Sequence, residues 1–145
     1  MIKRIANHIS TGLRHKLFFV SNKDCDINFV DIGFQLSNAI ENSLEKKRLS
    51  LIADERLESI IKDNIIANSE IGPYVAIKNI GILFEPDLKL DIRAKFDSWA
   101  KSFVLIVDAN EGMIRDNIFY LASANNPTYS INLSEISNIT IYNEI

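Results

Sequence analysis

Residues 91–110 read DIRAKFDSWAKSFVLIVDAN, and this stretch decides the fold. Its first half is helical by spacing: Asp91 stands at a capping position, and Ile92, Phe96, Trp99 and Ala100 recur on one face. Its second half, Phe103 to Val107, is an unbroken apolar run, the pattern of a strand buried on both faces. A helix that leads directly into such a strand is the repeating unit of a parallel sheet.

The same alternation continues outward. Upstream, the Gly72-Pro73 break precedes a second buried strand, Tyr74-Val-Ala-Ile77, and Glu85-Pro86-Asp87 forms a turn. A third strand covers Lys16 to Ser21, and a weaker fourth covers Ile27 to Ile32. After the fourth, Phe34, Leu36, Ile40 and Leu44 predict a helix with the cations Lys46, Lys47 and Arg48 at its C-terminus. Asp54 is expected to cap a further helix carrying Leu57, Ile60, Ile61 and Ile65, while Ile2, Ile5 and Ile9 form a short amphipathic helix. The last third breaks into strands at Ile118–Leu121, Tyr129–Leu133 and Ile139–Tyr142, with a turn at Asn125-Asn126-Pro127. The expectation is one α/β domain over residues 1–145: three αβα layers, a mostly parallel central sheet and a short hairpin-rich C-terminal part.

Composition narrows the function. With 145 residues and 47% apolar content, the chain can bury one sizeable core. Lys and Arg total 16 against 19 Asp and Glu, a net charge of −3, so bulk positive charge does not hold it on nucleic acid. The five glycines, Gly12, Gly33, Gly72, Gly81 and Gly112, never come closer than nine residues. A GxxxxGK loop needs two glycines five positions apart and GxGxxG needs three within six, so neither phosphate-binding motif is present. The single Cys25 excludes an internal disulfide, and with only His8 and His15 beside it no metal site is expected. No apolar run exceeds five residues, against the roughly 20 needed to span a bilayer, so no membrane contact is expected and the chain is read as cytoplasmic.

In open α/β sheets ligands collect at the carboxyl ends of the strands. Three such loops supply candidate nucleotide-binding residues. Ser21, Asn22 and Lys23 follow the first strand, yet no glycine lets backbone N–H groups converge there, and Asp24 and Asp26 repel phosphate. Lys78 and Asn79 follow Tyr74–Ile77, where an ATPase of P-loop type needs a magnesium-binding carboxylate; lysine carries the opposite charge. Asn110 follows the strongest strand, with Asp108 as a potential base; both residue types are also ordinary turn formers. Glu85, Asp87 and Asp91 invite a metal reading, but a turn plus a helix cap accounts for them. No residue is assigned a catalytic role.

Residues 79–91, NIGILFEPDLKLD, resemble a block of BrxF, the small P-loop-containing protein of type-3 BREX phage-defence systems. Residues 119–129, FYLASANNPTY, are similar to a second BrxF block, with Ala122, Pro127 and Tyr129 in place and Asn126 where histidine is usual. Phe34-Gln-Leu-Ser37 echoes a third. The resemblance implies a P-loop NTPase-like fold and a phage-defence setting. The departures fall on the chemistry: the phosphate loop and its helix are cut down to the residues after Val20, and Lys78 stands in place of the magnesium-binding Asp. Asn79 matches the residue that follows that Asp.

The expected function is therefore a non-catalytic, structural or regulatory subunit of a bacterial antiphage complex. No cofactor is expected, and the partners would be other proteins of the same system, with self-association left open. Two alternatives remain. One is a nucleotide-binding ATPase with an unorthodox loop, using magnesium-ATP through Lys23, Lys78 and Asn110. The other is a nucleic-acid-binding accessory module using Lys46, Lys47 and Arg48 with Arg14, His15 and Lys16; net acidity opposes direct nucleic-acid binding.

Overall fold

The computed structural model describes residues 1–21, 26–109, 112–121 and 129–142. Five strands form the central sheet: β1 (Leu17–Ser21), β2 (Val30–Asp31), β3 (Tyr74–Lys78), β4 (Val104–Asp108) and β8 (Asn138–Tyr142). Their order is β2-β3-β4-β1-β8, and every neighbouring pair is parallel. The apolar runs Leu17–Val20, Tyr74–Ile77 and Val104–Val107 occupy its centre. Phe18, Val75 and Leu105 are fully buried, as strands covered on both faces require.

The two faces differ in thickness. On one, α2 (Ile32–Ile40), α3 (Leu49–Asp63) and α4 (Ile92–Ser102) pack on Leu17, Phe19, Val75, Ile77, Leu105 and Val107. A second sheet, antiparallel in order β5-β6-β7 (Gly112–Arg115, Ile118–Leu121, Ser130–Asn132), completes this layer. Phe119 of β6 stacks on Phe19 of β1 at 5.1 Å. Among the described residues, the only helix on the other face is α1 (Ile2–Ile9), which closes it through Ile2 and Ile5, together with Ile27 and Ile71. The reason is chain length: the link from β1 to β2 is shorter than the dozen or so residues a helical crossover needs.

Several expected boundaries move. The strand at 27–32 shrinks to Val30–Asp31, because the Asp31 carboxylate accepts the Phe34 N–H at 2.9 Å and starts α2 at Ile32. Ile32, Leu36 and Ile40 then form the buried stripe, and Phe34 is left 62% exposed. That helix ends at Ile40, followed by a short 3-10 turn at Glu41–Ser43. Lys46, Lys47 and Arg48 consequently precede α3 instead of ending a helix. Helix α3, with its buried stripe of Ala53, Leu57 and Ile61, begins at Leu49, more than a turn before Asp54, so Asp54 lies inside the helix and pairs with Lys95 at 2.7 Å. Ile65 falls beyond its end.

Asp91 does cap α4, accepting the Ala94 N–H at 3.1 Å, and Ile92, Phe96, Trp99 and Ala100 are all buried. The last strand leaves the C-terminal hairpins and extends the central sheet beside β1. No helix among the described residues is long and apolar enough to cross a membrane. The Asn125-Asn126-Pro127 turn and Cys25 lie outside the described residues.

Candidate functional site

The carboxyl rim of the central sheet is assembled by register. Asp31 pairs with Lys78 across β2 and β3, and Asp108 pairs with Val20 across β4 and β1. Ile77 pairs with Val107, so Lys78 and Asp108 end adjacent strands at the same level. The rim thus runs acid, base, acid before it reaches Ser21. Lys78 is exposed, as expected for a lysine at a strand end.

Asn79 is exposed, but its side chain is bonded back to the protein. It sits in the left-handed region, φ 57° and ψ 53°, where asparagine is among the few residues tolerated. This conformation turns the chain sharply into a 3-10 helix at Ile80–Phe84. Its side-chain amide donates to Asp31 Oδ1 at 2.9 Å. The contact depends on Gly33: a Cβ there would lie 2.5 Å from the Asn79 amide nitrogen. The Phe34 backbone N–H, then the Asn79 amide, hold the Asp31 carboxyl below its ordinary value, and the Lys78 charge adds to this.

Ser21 is separated from Lys78 by β4, two strand spacings or about 10 Å. It lines a cavity of about 200 Å³ with Phe19, Ala109, Gly112 and Thr140. That is below the roughly 300 Å³ at which small-molecule pockets begin. The small sheet closes one side: Gly112 lies so near Phe119 that a Cβ would fall 2.3 Å from the ring's Cζ. Asn22, Lys23 and Asn110 lie outside the described residues.

The other candidates resolve by position. His15 is buried, with Nε2 2.5 Å from Asp97 Oδ1 and Nδ1 accepting the Ser137 N–H at 3.4 Å. It therefore faces inward and is unavailable to a basic patch. The His15 bond, with Lys101 behind it, holds the Asp97 carboxyl below its ordinary value. Among the described residues no group of three His, Cys, Asp or Glu side chains is placed to share a metal ion. Asp91 is engaged as a cap and Asp87 lies in a 3-10 turn at Pro86–Leu88.

Asp31 and Gly33 were missed as parts of this site. The helix-capping signal of Asp31 was available from its place before an apolar stripe, but its tie to Asn79 spans 48 residues and has no local signature. No family model matches the chain, and neither a curated protein nor a solved structure matches it.

Proposed function

We propose that the chain is a non-catalytic subunit of a bacterial antiphage defence complex, built on a P-loop-like α/β frame whose phosphate site has decayed. The observation that carries this reading is the end of β3. A magnesium-ATPase needs a carboxylate there and free polar groups beside it. Here Lys78 occupies that place, and the Asn79 amide is spent on Asp31. Asp108 stands between Lys78 and Ser21, so the described rim alternates in charge where a triphosphate needs convergent cations. The parallel five-stranded sheet supports the frame, and the BrxF-like blocks at 79–91 and 119–129 support the defence setting.

Thermal unfolding with and without magnesium-ATP, ADP or GTP tests the first half of the reading. No shift is expected. A rise of about 5 °C or more, the size saturating ligand gives a domain of this length, would replace it with nucleotide binding. Plaque counts on the native host with and without the gene test the second half. Deletion should raise them, and a copy carrying Lys78→Ala should restore resistance; counts unchanged by deletion would end the defence reading.

A further inference from the structure

A groove of about 500 Å³ opens beside α2, and none of the rim residues Ser21, Asp31, Lys78, Asn79 and Asp108 lines it. Its floor is apolar, formed by Ile40, Ile82 and Leu88. Three exposed acids edge it: Glu41 on the α2 side, Glu85 and Asp87 on the opposite side. None of the three has an ion-pair partner within 4 Å among the described residues. An apolar floor with unpaired carboxylates on both edges fits a basic segment that carries an apolar anchor.

The chain itself presents such a segment. Leu44 and Leu49 line the same groove and bracket a turn held by the Lys46 N–H to Ser43 carbonyl and Leu49 N–H to Lys46 carbonyl bonds. Leu44 is 58% exposed, a cost in water that burial against another surface would remove. Lys46, Lys47 and Arg48 are exposed and also lack ion-pair partners among the described residues; Glu45 offsets one of the three charges. The turn borders its own groove and so does not fill it.

We infer that this groove is the contact surface for a second copy of the chain, each copy laying its Leu44–Arg48 turn into the other's acidic groove. A two-fold axis running along the groove sets the basic side of one copy against the Glu85 and Asp87 side of the other. The contact is then made twice. The inference concerns a surface distinct from the sheet rim and stands whether or not the rim binds nucleotide.

Sedimentation over a concentration series up to ~1 mM, a ceiling that reaches contacts of only about 4 kcal/mol, should show a species of twice 16.5 kDa. Raising salt from about 50 mM to about 500 mM should dissociate it, because exposed charges are screened. The reversals Glu85→Lys/Asp87→Lys and Lys46→Glu/Lys47→Glu should each weaken association by roughly tenfold or more. Mixed together, the two variants should pair, because every charged contact is restored. A 16.5 kDa species throughout would overturn the inference, as would a dimer indifferent to salt or to the reversals. If a reversal variant fails to fold by circular dichroism, Leu44→Ser decides: its exposed site tolerates the change, and an unaltered dimer would refute the contact.

Discussion

Asn79 donates its amide to Asp31 at 2.9 Å, joining the end of β3 to the start of α2. The same Asp31 oxygen accepts the Phe34 N–H, so one atom caps a helix and anchors a left-handed turn. A residue at the carboxyl end of a central strand is here part of the joint between strand and helix.

Removing that joint should cost stability. Asn79→Ala loses the bond and places alanine at φ 57°, for about 1–2 kcal/mol. Asp31→Ala loses the cap and the same bond, for about 1–2 kcal/mol. In urea unfolding the double variant should fall short of the sum, because one bond is counted in both singles. Full additivity would mean that the bond contributes nothing.

Acid should weaken the fold through Asp31 and Asp97. Both carboxyls lie below the ordinary 3.8 when folded, Asp31 through the Phe34 N–H and Asp97 through His15. A folded value below the unfolded one stabilises the protein above the unfolded pKa, and the benefit is lost as pH falls through the folded value. Melting temperatures taken from about pH 6 down to about pH 2 should therefore drop below pH 3.8, and less steeply in Asp31→Asn and Asp97→Asn. Identical acid limbs in wild type and both variants would contradict this.

The small sheet is held to β1 by Phe119, which is fully buried. Phe119→Ala should cost about 3–5 kcal/mol, and Gly112→Ala about 1–3 kcal/mol through overpacking. Phe119→Leu removes the ring atoms that a Gly112 Cβ would meet, so Gly112→Ala should cost less in that background. Equal costs in both backgrounds would place the strain elsewhere, for example at the Tyr120 carbonyl 2.8 Å away.

Glu58 of α3 serves two groups on α4: it accepts from Trp99 Nε1 at 3.1 Å and from Lys95 Nζ at 2.7 Å. Burial lowers the Lys95 pKa, but the bonds to Asp54 and Glu58 outweigh it and leave the ammonium above its ordinary value. Glu58→Ala should cost about 1–2 kcal/mol, chiefly by stranding the indole N–H, and should change the emission of the only tryptophan. Glu58→Gln keeps an acceptor and should lose only about 0.5 kcal/mol, since Glu58 is 48% exposed and water screens its charge. Equal losses would shift the weight to the ion pair.

The elements that read well were those whose signal is local. Ile92, Phe96, Trp99 and Ala100 lie on one helical face whatever surrounds them, and the 103–107 run is too apolar to sit anywhere but inside. The misplacements arose where two local readings competed. Ile32 suits a strand or a helix start, and the Asp31 cap decided it. Asp54 looks like a cap, but the apolar stripe continues upstream through Ala53. The β5 strand escaped notice because it is only partly buried, with Met113 57% exposed.

By itself the sequence determined that no glycine-rich phosphate loop exists and that lysine follows the second buried strand. Both are matters of identity and spacing along the chain. Only the tertiary structure decided that Asn79 is bound to Asp31, that His15 faces Asp97, and that the last strand leaves the hairpins for β1. Each of these joins segments dozens of residues apart. Periodicity reports which side of an element is apolar, whereas the partner it meets follows from how all the apolar faces pack at once.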